Sequence, residues 1–358
     1  MSKRIVISGY YGFGNAGDEA VLSGIIATLQ EAGVDASVCV LSGNPKRTRA
    51  EHPGVDSVHR YKITRLVREI RKADLVISGG GSLLQDVTSL RSLRYYLFVL
   101  RLAQVLRRKT MIYAQGIGPL ETHSARQSLS FVLNRVNGIT VRDENSRCVL
   151  ESIGVTRTPV EMSADPSFLV DADLEAADRI LAGHGVAGNR IIGVSIRPWP
   201  KTKGSLEAAG EGIRRACDEL GAEPVMILMQ PDQDAAVCEA LGAGTVPRIA
   251  DNPRALKGIA ARCSLVVGMR LHSLMFAASA CVPFVSIVYD PKVESFAQAT
   301  GQKFTVDMKS LSAEGVKSAV LGAWNERDVL KRELEERVPE LRRLALKSGE
   351  MARELLGG

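Results

Sequence analysis

Short continuous apolar runs alternate with longer stretches in which apolar residues return every three or four positions. In the first half the runs at 4–8, 37–41, 75–78, 110–114 and 139–141 predict strands, and segments between them, such as 19–32 and 65–72, predict amphipathic helices. Apolar residues in these strands are mostly continuous rather than alternating. That pattern predicts a parallel sheet with helices on both faces. A second set follows, with strands at 191–196, 224–229, 265–267 and 284–287 and helices at 205–220, 253–263 and 274–280. The stretch 165–189 reads as the boundary. It carries Asp165-Pro166, a helix-like run at 174–182 and the glycine-rich 183–188. Near the end, residues 327–356 place Leu330, Leu334, Val338, Leu341 and Leu344 at helical spacing. Pro339 is expected to kink or split that helix, because proline removes a backbone donor.

A chain of 358 residues exceeds what one core usually holds, so two domains are expected. The expected division is 1–170, 171–310 and a C-terminal helical segment, 311–358, packing back across a domain. Contact of that segment's Lys/Arg face with a membrane surface is the alternative. Apolar and charged fractions of 45% and 24% fit an ordered globular chain. The net charge of +6 leaves nucleic acid, an anionic membrane face or an acidic substrate open. With 5% aromatic residues and no aromatic-basic interleaving, single-stranded nucleic acid is disfavoured. No signal peptide is visible ahead of the first strand, and Arg94 and Arg101 interrupt the most apolar helix, at 93–106, so it is not expected to span a bilayer. A cytoplasmic location is expected. The six cysteines form no CxxC pair and read as reduced core thiols. No His/Cys/Asp/Glu cluster has metal-ligand spacing, so no metal is expected. The histidines at 52, 59, 123 and 184 lack chemical company in the sequence and read as bystanders.

The loops after the predicted strands carry the chemistry. The first strand ends in Gly9-Tyr10-Tyr11-Gly12-Phe13-Gly14-Asn15-Ala16-Gly17-Asp18-Glu19, which fits GxGxxG. A dinucleotide would also require an acid ending the second strand, and that strand ends in Leu41-Ser42-Gly43-Asn44. What survives is a tight glycine turn suited to an anion or a sugar, with Asp18 as the expected N-cap. Gly79-Gly80-Gly81-Ser82-Leu83-Leu84-Gln85-Asp86 follows the third strand. Its glycines let backbone approach a ligand, or meet a steric need at a crowded strand end. Gln115-Gly116-Ile117-Gly118-Pro119 and Arg142-Asp143 follow the fourth and fifth. In the second half, Ser195-Ile196-Arg197-Pro198-Trp199, Gly268-Met269-Arg270-Leu271-His272-Ser273 and Tyr289-Asp290-Pro291-Lys292 end strands with cations. In open α/β sheets ligands bind at that edge. Arg270 and His272, beside a helix expected to begin near Ser273, suit a phosphate or carboxylate. A structural ion pair for Arg270 and a buried histidine for His272 are the plainer alternatives.

Residues 9–19, 79–86, 114–119, 141–143, 164–168, 268–273 and 289–293 together resemble the polysaccharide pyruvyl transferases, in particular the bacterial branch that prepares secondary cell wall polymer for anchoring surface-layer proteins. The resemblance implies two Rossmann-like doubly wound α/β domains, glycosyltransferase-B-like, with a cleft between them. It implies phosphoenolpyruvate as co-substrate, with no separate cofactor. The implied product is a pyruvate ketal bridging the 4- and 6-hydroxyls of N-acetylmannosamine. The implied acceptor is a disaccharide on undecaprenyl diphosphate, met at the inner membrane face by peripheral contact.

Ketal formation requires protonation of the enol methylene, and His272 is the expected general acid, because histidine titrates near neutrality. Arg270 and Arg142 are expected to clamp phosphate and carboxylate, and Lys292 to neutralise the leaving phosphate. Arg197 and Leu271 complete the expected donor side. Gly14, Asn15, Asp18, Gly80, Gly81, Asp86 and Gln115 are expected to hold the acceptor, with Asp18 or Asp86 as proton acceptor. Three rivals stand: a nucleotide-sugar glycosyltransferase of the same fold, a nicotinamide-dependent oxidoreductase and a non-catalytic sugar-binding scaffold.

Overall fold

The computed structural model describes residues 3–87, 89–186, 188–199, 204–240 and 252–357. Two compact units divide the chain, one formed by residues 1–170 and 341–358, the other by 171–340. The segment 311–358 is shared between them, 311–340 belonging to the second and 341–358 to the first.

Unit 1 is built on eight parallel strands: β1 (Lys3–Tyr11), β2 (Ala36–Ser42), β3 (Asp56–His59), β4 (Leu75–Ser78), β5 (Gly81–Leu84), β6 (Lys109–Ile117), β7 (Gly138–Val141) and β8 (Val160–Met162). Their order is β3-β2-β1-β4-β6-β7-β8, with β5 paired to β6. Helices α1 (Ala16–Glu31), α2 (Pro45–Glu51), α3 (Ile63–Lys72), α4 (Leu90–Val105), α5 (His123–Leu133) and α6 (Glu144–Ser152) connect them. Both faces of the sheet are covered, as β1 shows residue by residue. Ile5 and Ile7 pack with Val21 and Ile25 of α1, whereas Val6, pointing the other way, packs with Leu66 and Ile70 of α3 and Val99 of α4. All are fully buried or nearly so. Truncating Ile7 to alanine should cost about 2–5 kcal/mol, the usual range for a core isoleucine.

Unit 2 carries α7 (Leu174–Gly183), β9 (Ile191–Ser195), α8 (Ser205–Leu220), β10 (Glu223–Met226), α9 (Pro231–Ala240), α10 (Pro253–Arg262), β11 (Leu265–Gly268), α11 (Leu271–Ser279), β12 (Phe284–Val288), α12 (Pro291–Ala299), β13 (Thr305–Asp307), α13 (Ala313–Asn325) and the first turns of α14 (Arg327–Leu356). The strand order is β10-β9-β11-β12-β13, again parallel. Ile192 and Val194 of β9 pack with Ile213 of α8 and Val316 of α13. The helix α14 contributes Leu330 and Leu334 to the buried residues of unit 2, and its last turns, with Met351 and Ala352, join the core of unit 1. It runs unbroken through Pro339, contrary to the expected split. Pro339 and Glu335, whose carbonyl loses its helical partner, both lie on the exposed face, where water can replace the missing bond.

Candidate functional site

In unit 1 the glycine loops meet at the carboxyl edge of the sheet. Gly12 adopts φ +77°, and a side chain there would overlap Ser42 Oγ and the Asn44 backbone. The turn is fixed by Glu19, which accepts the Gly12 N–H at 2.7 Å. The N-cap of α1 is Asn15, accepting Gly17 N–H at 3.0 Å, so the expected cap at Asp18 is corrected. Asp18 lies half-buried in the first turn instead, and a Cβ added at Gly81 (φ +87°) would lie 3.3 Å from its Oδ1. Of the triple glycine, Gly79 is required by crowding, since a side chain would strike the Tyr11 hydroxyl, and Gly80 would press on Val21. Gly81 is the one that opens toward Asp18. Gly14 has φ +72° beside Arg47.

Three expected contacts of unit 1 are already engaged within the protein. Gln115 is fully buried and donates to Ser78 Oγ at 2.8 Å and to the Gly79 carbonyl, so it supports the loop and presents no surface to a ligand. Asp86 accepts the backbone N–H of Glu121 and of Thr122, each at 2.8 Å, and the Thr122 hydroxyl at 2.7 Å. Burial pushes its carboxyl up, but these donors outweigh burial and hold it below the usual carboxylate range. A carboxylate so occupied makes a poor base, so the proton-acceptor role expected for Asp86 is corrected. Arg142 donates through Nη1 to Asp165 at 2.6 Å and through Nη2 to Ser82 Oγ at 2.9 Å. Both side chains of the Arg142–Asp165 pair are at least 96% buried, and Asp165 also accepts the Ser167 N–H at 3.0 Å. Arg142 thus holds loops together, where a donor clamp was expected.

Glu19, Glu51 and His52 offer one ligand atom each within 4.8 Å of one another. His52 Nε2 lies 3.5 Å from Glu19, and Glu51 accepts Arg47 Nε at 2.6 Å. His52 thus has neighbours that the sequence did not show: it sits buried beside Glu19, which fixes the Gly12 turn.

In unit 2 the adjacent strands β9 and β11 end level with one another, and β12 on the other side of β11 runs two residues further. Gly268 pairs with Ser195 on one side and with Ser286 on the other. Arg197 follows Ser195 by two residues, Arg270 follows Gly268 by two, and Lys292 is the second residue of α12, after β12. The Arg197 guanidinium lies 5.7 Å from the ring centroids of both Trp199 and Tyr289, which meet each other edge-on at 4.7 Å. Its Nε is buried and has no hydrogen-bond acceptor among the described residues. Arg270, 8% exposed, donates Nη2 to the fully buried Asp234, which also accepts the Gln230 N–H at 3.0 Å. The ion pair weighed as the plainer alternative is present. Yet it occupies one edge of the guanidinium, and Arg270 Nε is likewise buried with no acceptor among the described residues.

Helix α11 starts at Leu271, two residues earlier than expected, with Arg270 as N-cap and no side-chain cap bond. His272 is thus the second residue of that helix and half-buried. Leu271 is buried, so its side chain belongs to the core and only its backbone lies at the helix start. A helix start without a capping side chain favours an anion. Lys292 pairs with Asp290 at 3.2 Å, both partly exposed. Cys39, Cys217 and Cys263 are buried, which pushes their thiols up to about 12 and leaves them inert. The Cys238 side chain lies outside the described residues.

Among the described residues no helix is long and apolar enough to cross a membrane. Solved structures share the fold at low identity. A putative UDP-N-acetylglucosamine 2-epimerase from Listeria monocytogenes aligns with TM-score 0.69 and 12% identity over 97% of this chain and 94% of its own. HepE of Anabaena, solved with UDP, aligns with TM-score 0.67 and 13% identity over 99% of each chain. These likenesses show a glycosyltransferase-B-like fold. Among curated proteins, the amylovoran biosynthesis protein AmsJ of Erwinia amylovora is 22% identical over 81% of this chain and 84% of its own length. The sequence profile of the polysaccharide pyruvyl transferases matches residues 15–291, most of the chain, and the chain belongs to that family.

Proposed function

We propose that this pyruvyl transferase takes pyruvate from phosphoenolpyruvate and sets it as a 4,6-linked ketal on N-acetylmannosamine of a lipid-linked cell-wall polymer precursor, the polymer that anchors surface-layer proteins. The observation that carries the donor side is the pair of guanidiniums at neighbouring strand ends, Arg197 and Arg270, each with a buried Nε–H that no described group accepts. An unpaired buried donor costs about 1–3 kcal/mol, so such donors persist where a ligand completes them. A ligand with a carboxylate and a phosphate suits two guanidiniums beside the uncapped start of α11.

In this reading His272 gives a proton to the enol methylene, leaving a cationic centre at C2. One sugar hydroxyl forms a bond to C2 and loses its proton. The C2–O bond to phosphate then breaks, phosphate departs toward Lys292, and the second hydroxyl closes the ring with loss of its proton. One phosphoenolpyruvate and one diol become one ketal and one inorganic phosphate. The turn at residues 12–18 and Gly81 supply the acceptor side, with Asp18 as the base. Arg142 acts there as a positioning residue through Ser82 and Asp165.

Incubating the protein with a synthetic lipid-diphosphate disaccharide and either phosphoenolpyruvate or UDP-sugars tests the assignment. Phosphate release matched by a pyruvylated product is expected. Sugar transfer from a UDP-sugar, with no reaction of phosphoenolpyruvate, would reject it.

A further inference from the structure

Helices α4 and α5 of unit 1 enclose an open groove of about 1080 Å³. The outward face of α4 carries Arg91, Arg94, Phe98, Arg101 and Val105, all exposed and spaced so as to share one side of a helix. Its opposite side, with Leu93, Tyr96 and Leu100, is buried. On α5, Phe131 is 48% exposed, and the guanidiniums of Arg135 and Arg101 lie 3.9 and 5.3 Å from its ring centre. Neither helix contains an acid. Across residues 90–137 there are eight Lys or Arg and one acid, Glu121, so this stretch is more positive than the whole chain at +6. Of nine exposed large apolar side chains among the described residues, four (Leu90, Phe98, Val105 and Phe131) stand on these two helices.

We propose that this face is a docking surface for an anionic phospholipid bilayer. Phe98 and Phe131 enter the acyl boundary while Arg91, Arg94 and Arg101 meet headgroup phosphates. An amphipathic surface with aromatic residues inside a rim of arginines is what an interfacial site requires. A second copy of the chain fits less well, because a two-fold contact would set these arginines against one another with no acid to pair them. The inference rests on the proposed lipid-linked acceptor, since docking here would hold the enzyme where such an acceptor resides.

Sedimentation with vesicles tests it without donor or acceptor present. The full chain should bind phosphatidylglycerol/phosphatidylcholine vesicles, bind pure phosphatidylcholine at least about tenfold more weakly, and release as salt rises. Arg94→Ser/Arg101→Ser and Phe98→Ser/Phe131→Ser should each cut binding about tenfold or more. All four positions are exposed, so thermal unfolding and turnover on a water-soluble acceptor should stay as in the parent. Absence of vesicle binding, or binding that survives both double variants, overturns the proposal. So does a dimer that Phe98→Ser/Phe131→Ser dissolves. Loss of vesicle binding with soluble turnover intact concerns docking alone; failure of soluble turnover in the parent concerns the reaction.

Discussion

Arg197 and Arg270 leave neighbouring strands at the same level: Ser195 pairs with Gly268, and each arginine stands two residues beyond its member of that pair. The sheet register therefore places two guanidiniums at adjacent strand ends. Their surroundings differ. Arg197 is flanked by Trp199 and Tyr289, whereas Arg270 is anchored by Asp234. The first relies on aromatic faces for its position and the second on a buried charge.

Donor affinity should fall in both Arg197→Ala and Arg270→Lys. Lysine cannot offer two parallel N–H groups while also reaching Asp234. Losses of about tenfold to a hundredfold in Kd are expected, as for charge-assisted hydrogen bonds of about 1.5–3 kcal/mol. Titration calorimetry with phosphoenolpyruvate measures them, and unchanged affinity in either variant would remove that arginine from the clamp.

Asp234→Asn should act on stability first. It leaves Arg270 buried without its counter-charge, and breaking such a pair costs about 3–5 kcal/mol. Urea unfolding of the purified variant checks the loss. A cost below about 1 kcal/mol would mean that the pair is solvated in solution.

His272→Ala should lower turnover about 10²–10⁴-fold, the usual contribution of a positioned proton donor, while phosphoenolpyruvate still binds. Comparing single-turnover rates with donor Kd separates the two effects. Near-parental rates would place the proton donor elsewhere.

Asp86→Asn should cost about 1–3 kcal/mol, because an amide cannot accept all three donors that Asp86 serves. The sign with pH follows from the depressed folded pKa. The stabilisation is full above the unfolded aspartate value near 4 and fades as pH falls through the lower folded value. Parent and variant should therefore converge in acid-unfolding experiments below about pH 4. A gap that stays constant to lower pH would contradict the ionised cap.

Much of the architecture was legible in the chain, and the limits have physical causes. Wholly apolar runs such as those in β1, β4 and β11 announce buried parallel strands, and α8 and α14 occupy the residues their periodicity indicates. Strands β3 (Asp-Ser-Val-His) and β13 (Thr-Val-Asp) escaped because they are short and mixed in polarity, and β5 is masked by the run of three glycines that leads into it. The loops bearing the site were visible as glycine and charge after each strand. Which charges are already paired was not. Arg142 finds Asp165 23 residues away and Arg270 finds Asp234 36 residues back, and only the fold joins them. His52 likewise gains Glu19 across 33 positions.

Where the donor's oxygens lie decides whether the two arginines form the clamp. A crystal structure with phosphoenolpyruvate bound measures this directly. Carboxylate or phosphate oxygens should accept from Nε of both Arg197 and Arg270 at about 2.7–3.2 Å, with His272 facing the methylene carbon. Phosphoenolpyruvate bound away from these two arginines, or an Arg270 that contacts Asp234 alone in the complex, would contradict it.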